Sequence, residues 1–302
     1  MPRIIDRLQY ALKQFPVARR FYRRVKLKRY RERSRDSAQE IEVGDGLRFR
    51  IDHDISMRLN YQNPTYFEDF GDLVNEYVSP GDIAFDVGAH VGVTAAILRN
   101  RVGEAGNVYA FEPTPSLYAL LEGNVQANGL GNVHPLQIAL SSSIGETEFF
   151  VSRTHSGYNS MSLSNAMAFT NDPTDVDKVS VDTSTLDEFV AVRAVEPSFI
   201  KIDTQGAEFE ILKGAKKFLT SRGQKPVHIY LEFNPDGVMS ISGITGDDML
   251  SYMEELGLSI QSAFPLGSFV VNGKIPAVRR AEFLDNITRR GAGYINLMLR
   301  TD

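Results

Sequence analysis

The sequence predicts an α/β fold, a doubly wound and mostly parallel sheet with a basic helical extension at its N-terminus. Three observations carry that expectation. From residue 83 onward, short apolar runs alternate with helix-period stripes, the pattern of parallel strands joined by covering helices. The first run leads into "DVGAHVG" (86–92), a glycine-bearing turn from strand to helix. The next strand ends on an acid, Glu112, 20 residues after Gly92. Ligands of such sheets bind beyond the carboxyl ends of the strands.

The chain divides into three stretches. Residues 1–40 form a basic arm in which Ile4, Leu8, Ala11, Leu12 and Phe15 recur at helical spacing. Pro16 interrupts, and Val17, Phe21 and Val25 resume the stripe, which predicts an amphipathic helical segment. Residues 1–36 hold 13 Lys/Arg against three acids, so the remainder carries −15 of a total of −5. Such an arm suits peripheral contact with an anionic membrane, or packing on the chain's own acidic body or on a second subunit. The scarcity of serine and the presence of Asp6 weaken the reading as a mitochondrial presequence. Residues 41–80 predict a hairpin (41–52) around Gly44-Asp45-Gly46 and a helix (64–78) closed by Pro80-Gly81. Residues 81–302 form the main domain.

Within that domain the expected strands are "IAFDVG" (83–88), "NVYAFEP" (107–113), "VHPLQIALS" (133–141), "SFIKID" (198–203) and "VHIYLEF" (227–233). Two late strands are expected near 259–264 and 293–300. Helices follow at 92–100, and after Thr114 as N-cap with Pro115 in the first turn and Gly129 near the C-cap. Another carries Phe209, Leu212, Ala215 and Leu219 on one side, and the last runs over 246–257. The polar span 152–175 is the longest irregular piece, of a length that is functional or disordered in compact domains.

Composition sets limits. A chain of 302 residues with 42% hydrophobic content can bury a full core. It has no run of 18 uncharged apolar residues and no cysteine, which excludes disulfides, thiolate nucleophiles and cysteine-ligated zinc. This fits a cytoplasmic protein, peripheral to a membrane if the arm binds lipid. The acidic body and the lack of an Asn/Asp-Pro-Pro-aromatic motif argue against a nucleic-acid substrate.

At the glycine turn, Gly88 permits a positive φ and a close backbone approach, and Gly92 lets the helix start near the strand. Asp86 can accept hydrogen bonds from loop amides or a cationic amino group. The spacing departs from G-x-G-x-x-G, which disfavours a dinucleotide-dependent oxidoreductase. A carboxylate at Glu112 can accept both hydroxyls of a ribose. Asp203 and Glu232 are expected at the carboxyl ends of adjacent parallel strands. They are candidates for a general base with its partner, or for a divalent-cation site. The competing reading is that Asp203 and Glu208 cap a helix start. Lys201, inside a strand, reads as snorkelling or paired. His155, in the long polar loop with Tyr158, Asn159 and Ser160, is either a general base or a solvated side chain. His53, His134 and His228 lack metal-ligand spacing and read as structural.

"DVGAHVG", "FEPTP" with Asn124, Asn128 and Asn132, "ALS" (139–141), "TLDEF" (185–189) and "IKIDTQGAEFEILKGA" (200–215) together resemble FkbM-type S-adenosylmethionine-dependent methyltransferases. The resemblance covers residues 80–235, with His90 where the family often has Asn and Gln205 where Glu is frequent. It implies a Rossmann-like class I methyltransferase sheet and S-adenosyl-L-methionine as cofactor. By it, Asp86 and the loop of Gly88, Ala89, His90 and Gly92 would cradle the methionine part. Glu112 with Pro113 would meet the ribose, and Gln137, Ala139 and Leu140 would lie beside the adenine. The implied activity is O-methylation of a sugar or other hydroxyl acceptor, a small molecule or glycan. A non-catalytic binding module on the same fold is the alternative.

Overall fold

A computed structural model describes residues 39–43, 46–51, 64–168, 170, 172–221, 225–289 and 293–301. The basic arm, turn residues 44–45 and His53 lie outside the described residues. The chain begins with an antiparallel pair, β1 (Gln39–Val43) and β2 (Leu47–Ile51), and a helix, α1 (Pro64–Tyr77). The alternation follows as β3 (Ile83–Val87), α2 (Val93–Val102), β4 (Asn107–Phe111), α3 (Pro115–Ala127) and β5 (Val133–Leu136). After an inserted small sheet and α5 (Leu186–Arg193) come β9 (Phe199–Ile202), α6 (Glu208–Gly214), α7 (Lys216–Thr220) and β10 (His228–Phe233). The chain closes with α8 (Pro235–Ser242), α9 (Gly246–Glu255), β11 (Leu258–Phe264), α10 (Ala277–Arg289) and β12 (Ile295–Thr301).

The main sheet has seven strands in the order β5-β4-β3-β9-β10-β12-β11. The strands from β5 to β10 run parallel, and β12 runs antiparallel to both β10 and β11. The chain winds outward from β3 to β5, then returns to β9 beside β3, so the topological switch lies between β3 and β9. Apolar residues fill both faces, as fully covered parallel strands require. Phe85, Val87, Ile200, Ile202, Leu231 and Phe233 point into one core. Ala84, Val108, Ala110, Phe199 and Tyr230 point into the other.

That second core also takes Phe49 and Ile51 of β2 and Phe70 and Val74 of α1. Two asparagines four residues apart, one on α3 and one at its C-terminal cap, bind β2 by its backbone. Asn124 Oδ1 accepts from Arg50 N at 2.7 Å while its amide donates to Arg50 O at 3.0 Å. Asn128 repeats this with Arg48 at 2.9 and 2.7 Å. Each side-chain amide thus stands in for a strand residue, the reason for an asparagine at both places. Asn132, four residues on, instead donates to Gly103 O and Gly106 O.

Two expectations are corrected. The run 133–141 is not one strand. Pro135 sits in β5, an edge strand that tolerates its missing N–H. Beyond Leu136 the backbone turns, with Ile138 N donating to Leu136 O at 3.1 Å. Residues Ala139–Leu140 then form β6 of a separate sheet, in the order β6-β8-β7, with β7 (Gly145–Ser152) and β8 (Val176–Ser184). The span 152–175 is not wholly irregular either, since it holds a helical turn at Ser156–Tyr158 and the short helix α4 (Leu163–Ala166). Among the described residues, no helix is long and apolar enough to cross a membrane.

Candidate active site

The loop after β3 is shaped by its packing on β9. Gly88 has φ 81°, and a Cβ there would lie 2.0 Å from the Asp203 carbonyl oxygen. Glycine is therefore required where two strand ends meet. Gly92, at φ 95°, would place a Cβ 2.7 Å from Leu121. Between them His90 takes φ 54°, a left-handed conformation that costs a non-glycine residue about 1–2 kcal/mol. The loop amides are already engaged. Gly88 N and Ala89 N both donate to Phe111 O at 3.0 Å, and Gly92 N donates to Ala89 O. His90 N donates to Glu112 Oε2 at 3.0 Å.

Beneath the loop, Asp86 is fully buried, with one oxygen 3.1 Å from Lys201 Nζ and the other accepting from Thr94 Oγ1 at 2.6 Å. Lys201, also buried, donates to Gly88 O at 3.1 Å and stands 3.7 Å from Asp203 Oδ2. It is a paired residue. Burial alone would depress its pKa, but Asp86 and Asp203 raise it above the ordinary value.

Glu112 follows β4 and is buried, with Oε1 accepting from Thr114 N at 2.9 Å. Burial pushes its carboxyl up to about 7, against the opposing pull of Thr114, the His90 amide and Lys201. Pro113 is half-buried. Thr114 precedes α3 as expected, but its hydroxyl makes no helix cap and accepts instead from Asn159 Nδ2 at 3.2 Å. Gln137 is exposed just past the carboxyl end of β5, whereas Ala139 and Leu140 are buried in apolar clusters.

Asp203 and Glu232, past the end of β9 and near the end of β10, are brought together through a residue that sequence reasoning noted only as a substitution. Gln205 Nε2 donates to Asp203 Oδ1 at 3.2 Å and to Glu232 Oε1 at 2.8 Å. This amide lies between the two carboxylates, where a divalent cation was the alternative to a base and its partner. Among the described residues, no group of three or more His, Asp or Glu is disposed to hold a metal ion. Glu232 is buried, and burial, then Asp203 and Glu208, raise its pKa well above the ordinary value. Tyr294, just before β12, joins the cluster unannounced by any motif. The charge of Glu232, then burial, Asp203 and Tyr158, raise its phenol pKa. The helix-capping alternative applies to Glu208, whose Oε1 accepts from Thr204 N, Thr204 Oγ1 and Gly206 N at 3.0–3.1 Å.

The segment from Ser152 to Ala166 straps these loops together. Ser156 Oγ lies 2.7 Å from His90 Nε2, Asn159 reaches Thr114, and Ser160 Oγ and Asn165 Nδ2 donate to Gln205 O at 3.1 and 2.8 Å. His155 is buried in this strap, its Nδ1 3.0 Å from Thr154 Oγ1, so the solvated reading is overturned. His134 stacks on Tyr109 at 4.8 Å and bonds Asn107, and His228 packs against Tyr77. Both are structural.

The winding order, with β12 antiparallel between β10 and β11, and the glycine turn and acid on consecutive strands define a class I methyltransferase fold. More particularly, a sequence model of the Methyltransferase FkbM domain matches residues 86–260, and the chain belongs to that family. A curated relative from Haloferax volcanii, "Hexuronic acid methyltransferase AglP", is 30% identical over 171 residues. The match covers 56% of this chain and 64% of the relative's length. Similar solved structures include a SAM-dependent methyltransferase from Aquifex aeolicus, 15% identical with a TM-score of 0.42, covering 81% of this chain and 96% of that one. An O-methyltransferase from Bacillus cereus in complex with SAH is 14% identical with a TM-score of 0.41, covering 79% and 80%.

Proposed function

We propose that the protein transfers a methyl group from S-adenosylmethionine to a hydroxyl of a sugar or related small acceptor. The observation that carries this reading is the meeting of Asp203 and Glu232, through Gln205, beside the glycine loop, with Glu112 on the loop's other side at the end of β4. The loop suits a cofactor without phosphates. Its amides at 88, 89, 90 and 92 are turned inward to Phe111, Glu112 and Ala89, and no lysine stands in it to meet a phosphate. Each Glu112 oxygen accepts one backbone N–H, which leaves lone pairs for ribose hydroxyls. His90, Ala89, Gly92 and the Gly88 backbone would line the methionine side, and Gln137 the adenine side. Asp86 supports the loop from below.

When bound, the cofactor supplies an electrophilic methyl on a sulfonium. The chain's residues then align the acceptor and take its proton. Asp203 accepts the hydroxyl proton as the oxygen attacks, and Glu232 and Tyr294 orient the acceptor. Lys201, 3.7 Å from Asp203, balances charge at the base. The strap, fastened to His90, Thr114 and Gln205, excludes water from one side, and His155 within it is a second candidate base. The name of the Haloferax relative supports a sugar acceptor.

Calorimetry tests the cofactor assignment. S-adenosylhomocysteine is expected to bind and NAD not to bind. Glu112→Ala should weaken S-adenosylhomocysteine about 10- to 150-fold, the worth of hydrogen bonds to a charged group. Unchanged affinity would place the ribose elsewhere. Mass spectrometry of hexuronic-acid and neutral sugar acceptors then reads the transfer, and tight binding without transfer to any acceptor would leave a binding module.

A further inference from the structure

Gln205 makes no covalent chemistry in the proposed transfer, yet its backbone is held from two sides. Its backbone is left-handed, with φ 57°, and the following Gly206, at φ 109°, is pressed against Gly237, where a Cβ would lie 2.6 Å from backbone atoms. The turn cannot relax toward α8. From the other side Ser160 and Asn165 of the strap both donate to the Gln205 carbonyl. A strained conformation that is held from two sides marks a place where geometry is being imposed. What it imposes is the direction of one amide, whose nitrogen reaches a carboxylate oxygen of Asp203 and of Glu232.

The geometry points to Gln205 as a positioning residue, its amide fixing the two carboxyl groups in one relation and the strap fixing the amide. A neutral double donor does this without cancelling either charge, which an ammonium in its place would do. The groups that face Glu232 are Lys201 and Asp203 from β9 and its end, Glu208 from α6, and Tyr294 ahead of β12, with Tyr230 on its own strand. Lys201 and the Gln205 amide favour the ionised form, and burial, Asp203 and Glu208 oppose it. Removing the amide therefore leaves Glu232 protonated to a higher pH.

The inference rests on the proposed function only for its rate effect, so the experiment has two arms. In the first, carboxyl signals of ¹³C-Glu-labelled protein without cofactor are titrated by NMR, and Glu232 is assigned by its loss in Glu232→Gln. Gln205→Met, which keeps length but cannot donate, should move half-protonation of Glu232 up by about one unit, a tenfold change in proton affinity. Gln205→Gly, which accepts the left-handed backbone without strain, should fold as well as the parent and show the same move. A Glu232 titration superimposable on the parent in either folded variant overturns the inference, whatever the activity. In the second arm, methyl transfer should fall about 10- to 100-fold with S-adenosylhomocysteine affinity unchanged, and the rising limb of the pH–rate profile should shift alkaline with Glu232. If the titration moves while the parent transfers no methyl group, the positioning role stands and the proposed function fails.

Discussion

Two acid clusters lie one strand apart at the carboxyl edge of the sheet, and they are built to opposite rules. Asp86 is closed: Lys201 at 3.1 Å balances its charge and Thr94 fills the other oxygen at 2.6 Å. Asp203 and Glu232 are short of positive charge. They share one neutral amide and only the more distant reach of the same ammonium, 3.7 Å from Asp203. A compensated pair holds a fold together, whereas an uncompensated pair retained at a strand edge needs another use. Lys201 serves both clusters, joining the loop that would cradle the cofactor, through Gly88 O, to the residue that would take the proton.

Breaking the shared ammonium should give the largest effect. Lys201→Met leaves Asp86 as a buried charge without a partner, which costs about 3–5 kcal/mol, read as a lower urea midpoint with an unchanged slope. A neutral result would show that Asp86 is not held as a charge and would dissolve the contrast. Asp203→Asn is the matching change on the other side. It keeps shape and removes the proposed base, so methyl transfer should drop by about 100-fold or more while the urea midpoint stays near the parent's. Equal stability losses in the two variants would make both clusters structural.

The same contrast separates what could be read in the sequence from what could not. The parallel strands were legible because burial on both faces leaves continuous apolar runs, as in "IAFDVG" and "VHIYLEF". Asp203 and Glu232 followed from adjacency of two such strands. The second sheet was not legible: β7 and β8 mix exposed polar residues with half-buried ones, and their cluster buries only Ala139, Phe149 and Val181. Residues 133–141 looked like one strand because apolarity continues past the turn at Leu136–Ile138. His155 is buried within the strap, a burial to which local polarity is blind. Gln205 gave no local signal, since a left-handed glutamine is selected by what grips it.

The smallest effect sharpens the comparison from a further carboxylate. Glu208 satisfies Oε1 three times over, but its Oε2 is buried without a hydrogen-bond partner. Burial pushes its pKa up from 4.5 to about 7 despite those three donors. The folded state then holds a proton that the unfolded chain has released. This contribution to stability is present below pH 4.5 and is lost as pH rises through 7. Glu208→Gln fixes the neutral form at all pH. Its oxygen can keep the bonds from Thr204 and Gly206, and its amide falls where an unpartnered oxygen already lay. Urea unfolding of the parent should therefore lose stability between pH 5 and pH 7 by about 1–3 kcal/mol more than the variant, with Glu112 supplying a similar decline to both. Parallel pH curves would show that Glu208 titrates as it does in water. The capping carboxylate would then belong with the compensated pair rather than with the acids of the open cluster.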